Sequence, residues 1–242
     1  MPRQSQSHSR SSQRSQIESS ARESVDERHH VANVVKTILN LSINKAIIKR
    51  SDITAIALKS DSRLFNRVIA EATEILRDVY GYELIDAENK NQKSMILCSL
   101  LETGSLLELN ESYRKKYTLL FIVLGYIFMK GGAIAEGLLW EFLHTVGIEE
   151  QGEHSYFGDV KGRYESFIKQ AYILRTKKSI EGMSEESTFV SWGLRAKHEV
   201  SKKNVLDAFC KIIKRKPTNF KSQYIEAYGM EGAEGGEAMV VE

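Results

Sequence analysis

The first part of the chain alternates apolar and polar positions with a helical period. One predicted helix carries apolar residues at i, i+3, i+4, i+7 and i+8: Val31, Val34, Val35, Ile38 and Leu39. A short second helix is predicted after Ser51-Asp52, and a third after 60–62, a Ser-Asp-Ser run typical of helix N-termini. Gly81 is placed to end the third helix.

Two extended runs follow these helices. Tyr82–Ile85 and Met95–Leu100 are separated by the polar, turn-like Glu88–Asn91, which predicts a β-hairpin. Three helices followed by a hairpin form the winged-helix arrangement.

The second half of the chain repeats this order of elements with a different sequence. Helices are predicted at about Tyr113–Met129, Glu136–Val146 and Val160–Gln170. Extended runs at Tyr172–Thr176 and Thr188–Trp192 enclose a polar loop containing Gly182, and a last helix at about Lys197–Lys214 precedes Pro217. The predicted fold is therefore mainly α with small β-hairpins, in the form of tandem winged-helix domains.

Composition sets the domain bounds. The first 25 residues contain nine serines and four arginines, and such a segment buries too little apolar surface to offset the entropy cost of ordering. We therefore expect a disordered Ser/Arg-rich tail at 1–28, winged-helix domains at 29–105 and 106–228, and a disordered Gly/Glu-rich tail at 229–242.

Composition and motifs also exclude several classes of protein. Two cysteines, Cys98 and Cys210, are too few for a disulfide scaffold or a four-cysteine zinc site. The longest apolar run, Tyr117–Met129, is shorter than the roughly 20 residues that span a bilayer. The chain contains no Gly-rich phosphate loop, no His-Glu-x-x-His and no nucleophile elbow. We expect no catalytic residue, metal site, cofactor, small-molecule substrate or membrane partner.

Several segments of the second half resemble the MAGE homology domain family. They occur in the family's order: Leu119–Leu124, Trp140–Leu143, Phe157–Asp159, Phe189–Ala196, Lys216–Phe220 and Gln223–Ala227. The most specific element is Trp-Gly-x-Arg-Ala at 192–196, and the resemblance covers roughly residues 31–228. The chain departs from the family at Leu194 and Val160, where proline is common.

The resemblance implies a non-enzymatic protein that binds and stimulates a RING-type E3 ubiquitin ligase. It is greatest to the family's subunit of the Smc five–six complex, which acts in DNA repair and recombination. That similarity implies a kleisin partner, double-stranded DNA bound without sequence preference, and a nuclear, chromatin-associated location.

Two pairs of residues are candidates for protein partners. Ile38 and Leu39 match the position of the family's ligase-binding dileucine, and adjacent helical residues point about 100° apart. Leu206 and Phe209 belong to a broad apolar arc on the last helix, where the resemblance places the kleisin. The alternative for both pairs is an ordinary role in the core.

A basic segment is the candidate for DNA binding. Phe189–Lys221 contains nine Lys or Arg residues against two acidic residues. A helical projection gathers four cations on one side of the last helix: Lys203, Lys211, Lys214 and Arg215. The alternatives are a solvated basic face, or DNA contacts made by the N-terminal tail or by a wing carrying Arg175, Lys177 and Lys178.

A second reading is a free-standing winged-helix transcription regulator. It requires a recognition helix that exposes side chains able to read base edges. The third helix of the first half has a mixed-charge face. The equivalent helix of the second half offers Lys161, Arg163, Lys169 and Gln170 against Glu165.

Overall fold

A computed structural model describes residues 26–89, 92–101, 109–179 and 186–229. The chain forms two compact units, Met1–Leu101 and Glu102–Glu242. The predicted N-terminal tail lies outside the described residues except for 26–28, which are helical. The predicted C-terminal tail also lies outside the described residues, except for Gly229. Gly182 of the predicted polar loop lies outside them as well.

The first unit is a winged helix. Its elements are helix α1 (26–41), strand β1 (Ile48–Lys49), helices α2 (Arg50–Ala57) and α3 (Phe65–Asp78), and strands β2 (Tyr82–Asn89) and β3 (Gln92–Ser99). The strands form an antiparallel sheet in the order β1-β3-β2. The predicted helices and hairpin are confirmed, and β1 completes the sheet.

The start of α3 differs from the prediction. Its N-cap residue is Leu64, which provides no side-chain hydrogen bond. Asp61 instead accepts a hydrogen bond from the backbone N–H of Arg63 within the preceding turn (3.1 Å). The expected stop is correct: Gly81, with φ of 67°, donates its N–H to the carbonyl of Arg77.

The second unit repeats the winged-helix order. Its elements are α4 (Glu111–Met129), β4 (Ala133–Ala135), α5 (Glu136–Thr145), β5 (Glu153–His154), β6 (Gly158–Asp159), α6 (Val160–Lys169), β7 (Ile173–Ser179), β8 (Glu186–Trp192), α7 (Leu194–Glu199), α8 (Lys202–Ile213), a 3₁₀ turn (Pro217–Asn219) and α9 (Lys221–Tyr228). The sheet order is β4-β8-β7. The mainly helical tandem winged-helix fold is confirmed.

The last predicted helix, Lys197–Lys214, is two helices. Val200 has extended dihedral angles (φ −119°, ψ 119°) and interrupts the helical backbone. Ser201 then begins α8, because its hydroxyl accepts a hydrogen bond from the backbone N–H of Asn204 (3.3 Å). In the sequence, the signal for this break is Ser201, a serine inside an otherwise helical pattern.

The segment 192–196 joins three parts of the second unit. The indole N–H of Trp192 donates to the carbonyl of Leu124 in α4 (2.8 Å). Gly193 lies so close to the turn after α6 that a Cβ there would be 2.3 Å from the carbonyl oxygen of Ala171. Only glycine fits this crossing of two backbones.

Arg195 is fully buried and anchors a polar network in the same interior. Its guanidinium donates to the carbonyl of Gln170 (2.8 Å) and to the carboxylate of Glu199 (3.1 Å). The hydroxyl of Tyr172 donates to the other oxygen of Glu199 (2.5 Å). Burial, and then the negative charge of Glu199, raise the pKa of Tyr172, which keeps the phenol protonated as a donor.

The two departures from the family pattern occupy equivalent helical positions. Leu194 is the first residue of α7, and Val160 is the first residue of α6. Proline is favoured at this position because the N–H there has no partner within the helix. Replacing proline by another residue therefore leaves both helices intact.

Candidate partner-binding surfaces

A groove of about 520 Å³ lies between α1 and α3 of the first unit. We call it the α1–α3 groove; its lining residues are Arg28, Val31, Ala32, Val35, Lys36, Leu39, Asn40, Glu71, Ile75 and Tyr80. Its floor is largely apolar. Arg28 and Lys36 stand on the α1 side and Glu71 on the α3 side, all exposed and without an ion pair to another residue in the described ranges.

The structure separates the two residues predicted to bind a ligase. Ile38 is 0% exposed and belongs to the core of the first unit, so its side chain presents no surface to a partner. Leu39 is half-buried and lines the α1–α3 groove. The candidate site is therefore corrected to Leu39, because α1 turns Ile38 inward together with Val31, Val34 and Val35.

The two residues predicted to bind a kleisin, Leu206 and Phe209, also differ in their exposure. Leu206 is 0% exposed and packs in the core of the second unit, so it is removed from the candidate kleisin surface. Phe209 is half-buried, and its ring packs edge-on against Phe220 at a centroid distance of 5.7 Å. Beyond it, Ile212 is 71% exposed and Ile213 is 37% exposed. The predicted apolar arc thus extends past the core and leaves an uncovered apolar surface.

The four predicted DNA-binding cations all lie on the surface. The Lys203 ammonium lies 5.0 Å from the ring centre of Tyr228. The other three gather where α8 ends, and Lys216 adds a fourth exposed cation there. We call Lys211, Lys214, Arg215 and Lys216 the basic end of α8. None of its members forms an ion pair with another residue that the structure describes.

The wing of the second unit is less suited to DNA. Arg175 forms ion pairs with Glu136 and Glu165, each at 2.6 Å. Partial burial works against its charge, but the hydrogen bonds to Glu165 and Glu136 outweigh it and raise the pKa of Arg175. Its charge is therefore used within the protein. Lys177 and Lys178 are exposed.

Neither recognition helix is arranged to read base edges. In α6, Lys161 pairs with Glu150 (2.9 Å), and Arg163 donates to the carbonyl of Phe157 (2.6 Å). The amide oxygen of Gln170 accepts from Lys116 (2.9 Å). Lys161 and Arg163 are thus already engaged as donors and the Gln170 oxygen as an acceptor, which disfavours the transcription-regulator reading.

The equivalent helix of the first unit is similar. Arg67 of α3 pairs with Glu27, and the Asn66 amide oxygen accepts from Arg50 (3.1 Å). Arg63, just before α3, pairs with Asp61 (3.2 Å). Its cationic face is thus neutralised by neighbouring carboxylates.

The described residues contain neither a candidate metal cluster nor a candidate membrane span. No group of three or more His, Cys, Asp or Glu within them is placed to hold a metal ion. No helix in this part of the chain is long and apolar enough to cross a membrane.

The fold and these surfaces define a tandem winged-helix protein whose candidate sites are docking surfaces. The family model for the MAGE homology domain matches residues 34–203. The chain belongs to the MAGE homology domain family.

Relatives differ in how much of their length the chain covers. Human melanoma-associated antigen D2 is 35% identical over 199 residues, which is 81% of this chain but 32% of that protein. The mouse non-structural maintenance of chromosomes element 3 homolog is 32% identical over 203 residues, which is 83% of this chain and 72% of that protein. The chain therefore spans about a third of the antigen D2 length.

A solved structure shares the fold. A chain of the structure titled "Nse1-Nse3-Nse4 complex" matches with a TM-score of 0.71 and 32% identity. The match covers 84% of this chain and 97% of that chain.

Proposed function

We propose that this protein is a non-enzymatic adaptor subunit of an Smc five–six type chromosome-maintenance complex in the nucleus. The match to a chain of a solved Nse1-Nse3-Nse4 complex over 97% of that chain carries the proposal. The similarity to 72% of the mouse element 3 homolog supports the same assignment. The partners proposed are a RING-type ubiquitin ligase subunit, a kleisin subunit and DNA.

The α1–α3 groove is the proposed ligase-binding site. Leu39 is its apolar anchor, since it combines partial exposure with the position of the family's dileucine. Arg28 and Lys36 on one side and Glu71 on the other suit a protein partner better than a nucleic acid, because a carboxylate repels phosphate.

The surface around Phe209 is the proposed kleisin-binding site. It combines the half-buried Phe209 ring with the exposed side chains of Ile212 and Ile213. An apolar segment of a kleisin would cover these side chains and remove them from water.

Phe209→Leu is expected to weaken kleisin binding about tenfold while leaving the fold intact. Leucine keeps an apolar side chain over the core but loses the ring that packs against Phe220 and faces the partner. Titration calorimetry of the full chain with a kleisin peptide measures the change. The control is Ile56→Ser, which alters a 61%-exposed apolar residue in the first unit and should leave kleisin binding unchanged. Unchanged affinity in the Phe209 variant would place the kleisin elsewhere.

DNA binding by the basic end of α8 and Lys203 is the third proposed activity. Simultaneous Lys211→Glu, Lys214→Glu and Arg215→Glu substitutions should weaken binding to all duplex sequences alike. Five phosphate contacts, one for each of these cations, give a log–log salt slope of roughly −4.5, which this variant should flatten. Fluorescence anisotropy across a salt series measures both effects.

The control for the DNA experiment reverses the same number of charges on another surface. Lys49→Glu, Lys59→Glu and Lys93→Glu change three exposed lysines of the first unit. This variant should keep most of the affinity and the slope. Equal losses in the two variants would indicate a dependence on net charge and remove the basic end of α8 from the mechanism.

Co-purification of the full chain from native extract, with masses of the bound proteins, tests the assignment as a whole. A RING protein together with a kleisin supports the adaptor proposal. A homodimer bound to one specific DNA sequence would instead support a transcription regulator.

A further inference from the structure

The end of α8 presents an unusual combination of side chains. Six consecutive residues are all exposed: Lys211, Ile212, Ile213, Lys214, Arg215 and Lys216. This segment, which we call the α8 end, consists of the four cations of the basic end of α8 and the two isoleucines between them. A ligand that covers it well must therefore be both acidic and apolar.

The chain returns along α8 before the described residues end. At the start of α9, Phe220 contacts Phe209, and at its end the hydroxyl of Tyr228 donates to Asp207 (2.5 Å). The ring of Tyr228 also lies under Lys203. Gly229 therefore leaves α9 beside the N-terminal half of α8, within the same unit as the α8 end.

Residues 230–242 have the complementary chemistry. They contain four glutamates and no lysine, arginine or histidine: Glu231, Glu234, Glu237 and Glu242. Met239, Val240 and Val241 add a short apolar run. This segment carries the opposite charge to the α8 end together with matching apolar side chains.

Residues 230–242 are long enough to reach the α8 end from Gly229. Lys203 and Arg215 are separated by about 18 Å along a helix axis, at 1.5 Å per residue. An extended chain covers up to about 3.3 Å per residue, so Glu237 reaches roughly 26 Å from Gly229. A segment attached at that point is also present at an effective concentration in the millimolar range.

We propose that residues 230–242 bind the α8 end of their own chain and cover it when no nucleic acid is bound. Glutamates pair with its cations while Met239 and Val240 approach the exposed isoleucines. The segment thereby competes with DNA phosphates for the cations, and with the proposed kleisin segment for Ile212 and Ile213. The competition with DNA rests on the proposed DNA binding, whereas the intramolecular docking does not.

Paramagnetic broadening tests the docking directly. A nitroxide is attached to the full chain through Ala238→Cys; the two native thiols are buried, so the label goes to position 238. At low salt, the backbone amide signals of Lys211–Lys216 should lose more than half of their intensity. At about 0.5 M salt they should recover, because the charges are screened.

Two controls make the result decisive. Replacing all four glutamates of the segment by glutamine should restore the signals at low salt. Mixing a labelled, isotopically silent chain with an unlabelled, isotope-enriched chain should cause no broadening. Intact signals in the first experiment, or equal broadening in the mixed sample, would overturn docking within one chain.

DNA titrations then distinguish the docking of residues 230–242 from the proposed DNA binding, on which the competition depends. If the segment covers the α8 end about nine-tenths of the time, the glutamine variant should bind duplex DNA about tenfold more tightly at low salt. Unchanged DNA affinity would overturn the competition. If neither chain binds DNA while broadening is observed, the proposed DNA function fails and the docking stands.

Discussion

Arg195→Leu is expected to destabilise the second unit by about 3–5 kcal/mol. The substitution leaves the 9%-exposed carboxylate of Glu199 without its cation and removes the donor that satisfies the carbonyl of Gln170. Urea unfolding of the full chain, followed by the fluorescence of Trp140 and Trp192 in the second unit, measures the loss.

A double-mutant cycle separates the ion pair from packing. Glu199→Leu added to Arg195→Leu should recover part of the stability, because no buried charge then lacks a partner. A loss below about 1 kcal/mol in the Arg195 variant would mean that water or a rearranged side chain replaces the guanidinium.

Leu39→Glu is expected to weaken ligase binding at least a hundredfold while the first unit stays folded. The new carboxylate would lie at the apolar floor of the α1–α3 groove, where a desolvated charge without a partner is costly. Binding of the purified RING subunit, together with a thermal unfolding curve, measures both quantities.

The neighbouring residue provides the matched control. Ile38→Glu places the same charge one position earlier, in the core, and should unfold the first unit. If both variants unfold, Leu39 is a core residue. If Leu39→Glu remains folded and binds normally, the groove does not hold the ligase.

Helix and hairpin order could be predicted because the apolar period is strong where an element packs on one core. In α3, the inward positions Phe65, Val68, Ala72 and Leu76 follow a helical repeat, and all four are buried. Strand β8 ends at the predicted Trp192. Local periodicity and core packing agree in these elements.

Short and interrupted elements could not be predicted in the same way. Strands β1 and β4 contain two and three residues, too few to show an alternating pattern. The break at Val200 depends on a local hydrogen bond of Ser201 that competes with a continuous helix. The helix α9 has a weak apolar pattern and packs on α8 through Tyr224 and Tyr228.

The candidate sites illustrate a further limit. Helical spacing identifies a stripe, but it does not say how far a core reaches along it. Leu206 and Ile213 share a stripe on α8, yet the first is buried and the second is 37% exposed. The pairing of Arg175 with Glu136 joins residues 39 apart, and one sequence does not reveal such pairs.

The Trp-Gly-x-Arg-Ala segment that marks the family lies inside the protein, where no partner reaches Arg195. Inherited missense changes there would therefore act through cellular abundance. A few kcal/mol lost from a marginally stable domain raises the fraction presented to quality-control proteases several-fold. Cells carrying such a change would have less of the protein, with unaltered affinity for its proposed partners, and lowering the growth temperature would restore its amount.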